Sequence, residues 1–312
     1  MTETITAVRA HGRRLAKAIR VDGSIEDYGG VPTVDLAEVE IDGLDGLEAL
    51  LCRIERRRDY CVVRGAIADR MRTRGVRRLL HRDPATGDEP TLREEPRRWA
   101  ALDFDGVPRP DWIECADLLG CACVAIATLP DEFRRVRFIV QATAGHGLKP
   151  GLRLRLWCWL SRPTTGAELK YWLRSAPVDP SGFGAAQMIY TAAPVFLPGS
   201  FDPLPTRLDV VPGDAEVTVP APRRLRPPQP RIGHRRDDWG NLDDTEVERL
   251  ARFVERTAVG NRNSALYWAA RRVAEDRNDT EWAAALLEAA AVRAGQSAVE
   301  AMATIKSGLR HG

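Results

Sequence analysis

Trp99-Ala-Ala-Leu-Asp103-Phe-Asp105-Gly106 is an apolar run into which two aspartates are set two positions apart. On a strand, residues two apart point to the same face. Asp103 and Asp105 then present two carboxylates side by side, while Leu102 and Phe104 turn to a core. Adjacent carboxylates repel unless a cation neutralises them, and their hard oxygens suit Mg²⁺ or Mn²⁺. One or two such ions can activate a 3′-hydroxyl and stabilise charge on a transferring phosphate. The bland alternative is a solvated strand edge or a turn cap.

Downstream, Leu152-Arg153-Leu154-Arg155-Leu156-Trp157-Cys158-Trp159-Leu160 opens as a strict alternation that puts Arg153 and Arg155 on one strand face. Two guanidiniums so placed suit a triphosphate or a template phosphate, and a half-exposed strand is the plain alternative. The loop before it, 143–151, carries three glycines, His146 and Lys149, and can wrap phosphates through backbone amides or simply connect two strands. Around these stretches, helices and strands alternate. Leucines at 47, 50 and 51 with Ile54 predict a helix over 46–57, and 165–175 reads as another. Strands are expected at 60–63, 99–104, 138–143, 152–160 and 188–191. This mixed order argues for an α/β or α+β core.

The stretch 219–231, VPAPRRLRPPQPR, removes backbone donors and fixes φ repeatedly, so a linker is expected there. After it come four helical patterns. The first follows Asp243-Asp-Thr-Glu246 and puts Val247, Leu250, Ala251 and Val254 on one face, with Gly260 as its stop. Leu266, Ala269, Ala270 and Val273 mark the second. The third starts after Asn278-Asp279, with Trp282, Leu286 and Ala289 inward and Gly295 as its end, and Ser297-Ala-Val-Glu300 caps the fourth. The resulting division is 1–218, a 219–240 linker and 241–312.

The chain has 312 residues, 44% hydrophobic and 29% charged, and a net charge of +2. That balance does not demand a polyanionic partner, although Arg56-Arg57-Arg58 and Arg223-Arg224 can form local phosphate-binding patches. No apolar run approaches the roughly 20 residues that span a bilayer. The start lacks an apolar signal core, so a cytoplasmic protein with no membrane partner is expected. Cys115, Cys121 and Cys123 lack the C-x2-C pair of common zinc sites, and CACVAIATL (121–129) reads as a buried apolar stretch.

From Arg98 to Gly213 the chain resembles the archaeo-eukaryotic primase superfamily, in the branch of plasmid and phage primase-polymerases. Leu102-Asp103-Phe-Asp105 is similar to its Asp-x-Asp strand and Val178-Asp179-Pro-Ser to its later hydrophobic-Asp motif. Gln187-Met-Ile-Tyr-Thr-Ala-Ala-Pro194 and Asp202-Pro-Leu-Pro-Thr-Arg207 look like the stretch that follows. The second motif departs: Arg155 stands where the family often has the His that contacts the incoming nucleotide's phosphates. Gly260-Asn-Arg262-Asn263 through Ala270, and Glu300 through Gly308, are similar to the helical domain that follows many of these enzymes.

The resemblance implies an α+β fold, a primase-type (RRM-like) catalytic core followed by a small all-helical domain. It implies a template-dependent nucleotidyltransferase making primers on single-stranded DNA for a mobile element. Asp103, Asp105 and Asp179 would be catalytic and hold Mg²⁺ or Mn²⁺. Arg153, Arg155, His146 and Lys149 would bind the nucleotide, and Arg207, Arg262 and Asn263 the template. Arg262 and Asn263 also read as mere caps of the second tail helix. Nucleoside triphosphates, the template and a replicative helicase are the implied partners. The changed second motif leaves open a catalytically weakened replication-initiation or DNA-binding protein, and Asp-x-Asp sites also occur in metal-dependent nucleases.

Overall fold

The computed structural model describes residues 2–26, 30–221, 242–257, 262–276 and 280–310. The chain divides into two compact units, Met1–Arg223 and Arg224–Gly312. Most of the expected linker, Gly260 and Asn278-Asp279 lie outside the described residues. The linker's first residues belong to the first unit: Val219 packs on its largest core, and the Val219 amide donates to Ser161 Oγ at 3.0 Å.

The fold is α+β with several small, mostly antiparallel sheets. The first unit runs β1 (Thr2–Ala10), β2 (Ala18–Ile19), β3 (Ile25–Glu26), β4 (Val34–Asp42), α1 (Gly43–Ile54), β5 (Tyr60–Val63), β6 (Ala66–Ile67) and β7 (Leu92–Arg93). It continues with β8 (Arg97–Val107), α2 (Leu118–Ala127), β9 (Phe138–Ala142), β10 (Leu152–Thr164), α3 (Gly166–Trp172), β11 (Val195–Phe196) and β12 (Leu208–Val211). The second unit holds α4 (Asp244–Glu255), α5 (Arg262–Asp276), α6 (Glu281–Arg293) and α7 (Ala298–Arg310). No helix among the described residues is long and apolar enough to cross a membrane.

The main sheet, ordered β12-β9-β10-β8, is antiparallel throughout. Strand alternation sorts its side chains. Leu102, Phe104, Val140, Leu154 and Leu156 turn to one side, into the core built with α2 and α3. Trp99, Ala101, Ile139, Trp157 and Trp159 turn to the other, against α1 and Ile5 and Ile41 of a second sheet, β4-β1-β5. The rings of Trp99 and Trp157 lie 6.0 Å apart, and such pairs add about 0.5–1.5 kcal/mol beyond the area they bury. The helix α1 is thus wedged between two sheets, which is why Leu44, Leu47, Leu50, Leu51 and Ile54 are all buried.

Three expectations need correcting. The 188–191 segment is not a strand: Ile189 makes an isolated bridge to Val62. The carbonyls of Tyr190 and Thr191 are taken instead by the Arg155 and Gln141 side chains. The Cys-rich apolar stretch is helix α2, which buries Cys121 and leaves Cys123 exposed. In α6, Ala283, Leu287, Ala290 and Ala291 face inward while Trp282 is 41% exposed. That helix is apolar almost all round, so its periodicity does not choose a face.

The four tail helices share their own core, from Val247 to Ile305. Asp243 and Glu246 form a capping box on α4, and at the start of α7 the Ser297 hydroxyl accepts from the Glu300 amide and donates to the Glu300 carboxylate. Where α5 and α7 meet, a Cβ on Gly308 would stand 2.7 Å from the Ala270 Cβ and 2.8 Å from the Tyr267 carbonyl. Only glycine permits that approach.

Candidate active site

The alternation that gives the main sheet an apolar half on the α1 side also gives it a polar half. Past Ala101, Ile139 and Trp157, the same face carries Asp103 and Asp105 on β8, Gln141 on β9, and Arg153 and Arg155 on β10. Antiparallel register sets Arg155 opposite Asp103 and Arg153 opposite Asp105. Each pair is an ion pair: Arg155 Nη2 lies 2.7 Å from Asp103 Oδ2, and Arg153 Nη1 contacts Asp105 Oδ1. The two pairs differ in depth. The Arg155 side chain is 8% exposed, whereas that of Asp105 is 70% exposed.

Arg155 is held on three sides. Besides Asp103 it donates to the Tyr190 carbonyl at 2.6 Å and to Gln141 Oε1 at 3.4 Å. Gln141 is itself buried and fully engaged, accepting also from Trp157 Nε1 and donating to the Thr191 carbonyl. A buried guanidinium needs such partners, because an unpaired charge out of water is costly. The donors of Arg155 therefore point at the protein, and it forms the floor beneath Asp103.

Asp179 reaches the same place from a different element. Its amide donates to the Asp103 carbonyl at 2.9 Å, so 178–179 runs along the open edge of β8. Its carboxylate starts the 3₁₀ turn Pro180–Phe183, accepting from the Ser181 amide and hydroxyl. Asp103, Asp105, Asp179, Arg153, Arg155 and Lys149 all line one cleft of about 280 Å³. Lys17, Gln141 and Tyr190 line it too, and the sequence did not single out Lys17 or Gln141. Lys17 carries one faint signal, being one of four lysines in an arginine-rich chain.

Two glycines fit the loop to this geometry. Gly151 has φ +77°, and a Cβ there would stand 2.8 Å from the Val107 carbonyl. A Cβ on Gly145 would stand 2.8 Å from Arg153 Cδ, so the loop lies directly over the arginine's stem.

The other expected site residues lie elsewhere. His146 is fully buried: Nε2 faces the Cys115 carbonyl at 2.9 Å and Nδ1 accepts from the Arg153 amide at 3.2 Å. Both ring nitrogens are spent on backbone, which fixes a neutral ring that shapes the loop. Arg207 is buried in a two-pronged pair with Asp202 and donates to the Thr143 carbonyl. In the tail, Asn263 Oδ1 accepts from Gln296 and Thr304, tying α5 to the turn before α7 and to its middle, and Arg262 Nε points at the Thr257 carbonyl.

Burial pushes His146 below the ordinary 6.5, opposed in part by its bond to Cys115. The unfolded chain takes up this proton near 6.5 while the folded chain resists it. The contribution is therefore present above about pH 6.5 and is lost as pH falls below it. Between about pH 7.5 and 5.5, urea unfolding should show a smaller loss of stability for His146→Gln than for the parent. Equal losses would mean the ring is not a buried neutral group.

The three aspartates supply only hard oxygens, and Asp105 stands open to solvent, which fits a divalent ion. Among the described residues, no three His, Cys, Asp or Glu side chains are already gathered into a cage; Arg153, Arg155 and Ser181 take up the three carboxylates instead. Compared with protein families, curated proteins and solved structures, the chain matches none.

Proposed function

We propose that the first unit is a template-dependent nucleotidyltransferase that makes primers on single-stranded DNA, with Asp103, Asp105 and Asp179 as ligands for Mg²⁺ or Mn²⁺. One observation carries the reading: three carboxylates from β8 and the 178–179 edge share a cleft with Arg153, Lys149 and Lys17. Carboxylates for a metal ion and cations for phosphate oxygens in one cleft are what joining a nucleoside triphosphate to a 3′-hydroxyl requires. The succession β8-α2-β9-β10-α3, followed by a segment bonded along β8, supports the RRM-like reading of the core.

A bound divalent ion would supply charge neutralisation on the triphosphate and activation of the attacking hydroxyl. The chain's own residues do the rest. Asp105 and Asp179, open to solvent, offer oxygens to that ion. Arg153 and Lys149 stand at the loop side, where they orient phosphate oxygens. Arg155 acts through Asp103, fixing the carboxylate's direction, and Gly145 lets the loop lie close over Arg153.

The Arg155–Asp103 pair also favours a second reading, a DNA-binding protein of this fold with weakened synthesis, because the pair already satisfies one of the three carboxylates. Primer synthesis on a single-stranded template with labelled nucleotides, with Mg²⁺, with Mn²⁺ and with chelator, separates the two. Product that depends on the metal is the expected result. Template binding without incorporation supports the second reading, and strand cleavage without nucleotide would identify a nuclease.

A further inference from the structure

Beside the cleft lies a run of arginines that the catalytic reading leaves unused. From the end of β1 the chain reads Arg9-Ala-His-Gly-Arg13-Arg14-Leu15-Ala16-Lys17, and between α1 and β5 it reads Arg56-Arg57-Arg58. Two backbone bonds pin these stretches together: Ala10 N donates to the Asp59 carbonyl at 2.9 Å, and Leu15 N to the Arg58 carbonyl at 2.5 Å. The loop's far end, Leu15 to Lys17, lines the cleft that holds the aspartates. Arg58 lines two further hollows. One is shared with Arg9, Arg13 and Arg14, the other with Arg56 and Arg207. Cationic side chains thus run from the cleft to the 56–58 turn, with Asp59, Glu55 and Asp202 set among them.

The charge of this run is cancelled only in part. Arg9 and Arg57 both bond Asp59, and Arg14 lies 3.5 Å from Glu26. Arg13 donates to the Gly30 carbonyl. Among the described residues, Arg13, Arg56 and Arg58 have no carboxylate at ion-pair distance. The side chain of Tyr60 lies under Arg57, 4.5 Å from guanidinium to ring centroid, and 5.9 Å from Arg9. Two of the guanidiniums are therefore already ordered by a ring and a carboxylate, which lowers the entropy lost when they meet a ligand.

A row of guanidiniums leading out of the cleft, two ordered by Asp59 and Tyr60 and three without a carboxylate partner among the described residues, matches the repeating charge of a phosphodiester chain. We propose that Arg13, Arg56 and Arg58, with Arg9 and Arg57, are the phosphate track for a single-stranded nucleic acid that enters the cleft. The identity of the strand rests on the nucleotidyltransferase reading; the track itself rests on the charge and placement of these arginines. It also moves the template contact from Arg207, which is occupied by Asp202, to the neighbouring turn.

The test is fluorescence anisotropy of the full chain with labelled oligothymidine of about 20 nucleotides, longer than the roughly 4–16 that one single-strand fold covers. Titrations run from about 50 to 200 mM salt. Each phosphate contact on a single strand contributes a slope of about −0.7 in log K against log salt. Replacing Arg13, Arg56 and Arg58 together by Glu should weaken binding at least tenfold and flatten the slope by about 2. Arg134→Glu, beyond α2 on the other side of the main sheet, should bind as the parent does. Thermal unfolding of each variant checks that these exposed substitutions leave the fold intact.

A triple variant that binds like the parent overturns the proposal, and so does an equal loss in Arg134→Glu, which would mean bulk charge alone. Failure of the catalytic reading looks different: the parent binds the oligonucleotide, the triple variant does not, and no nucleotide is incorporated by either. That outcome keeps the track and removes the synthesis.

Discussion

Asp105→Asn should lower nucleotide incorporation on the order of a thousandfold, about 4 kcal/mol of transition-state stabilisation, while leaving the fold in place. The two halves of that expectation rest on different facts. Asp105 is 70% exposed and its ion pair with Arg153 lies at the cleft mouth, where such pairs contribute about 0–1 kcal/mol to stability. Asn keeps the shape and one oxygen but loses the charge that would hold a divalent ion. Asp103→Asn should lose incorporation equally and also cost some stability, because Arg155, 8% exposed, would be left with neutral acceptors only. Incorporation within about tenfold of the parent for Asp105→Asn, at unchanged unfolding midpoint, would remove this carboxylate from the chemistry.

What the sequence makes legible is what period and spacing encode. The Asp103/Asp105 and Arg153/Arg155 spacings place each pair on one strand face, and the capping side chains of Asp243 and Ser297 mark where two tail helices begin. The first 42 residues gave no comparable signal although they contain two nine-residue strands, β1 and β4. In β1, Ile5 faces the core around α1 while Val8 and Ala10 face another core. Thr6 is also buried, its hydroxyl bonded to the Gly65 carbonyl. A strand buried on both faces shows no alternation.

The site shows the same division. That Asp103 meets Arg155 rather than Arg153 is a matter of register, which pairing fixes and local sequence does not. His146, in a glycine-rich loop, reads as a ligand until the Cys115 carbonyl and the Arg153 amide are seen on its two nitrogens. Arg207 lies five residues from Asp202, a spacing with no secondary-structure meaning, and only folding of the 202–207 turn turns that spacing into a buried pair.

Deleting residues 232–312 should abolish primer synthesis on a bare template, by at least about a hundredfold, while extension of an annealed primer stays within a few-fold of the full chain. The truncation is expected to fold. Among the described residues, the three cores of the first unit draw none from beyond Val219, and the buried residues of the tail's core all come from α4 to α7. Activity should divide because the two reactions differ in what must be held. Starting a strand requires two free nucleotides and a template in one arrangement, whereas a paired primer arrives with one partner already in place. The entropy of gathering separate reactants can amount to roughly 7–11 kcal/mol, and a second unit that contacts the template or the first nucleotide offsets part of it. Arg262 and Asn263 are tied into the tail's own helix junction, so any such contact would come from its exposed cations instead. Arg249 and Arg256, on or just after α4, belong to that set. A truncated chain that primes as well as the full chain would assign the tail another role. One that fails to unfold cooperatively would instead show that the first unit depends on the tail for its stability.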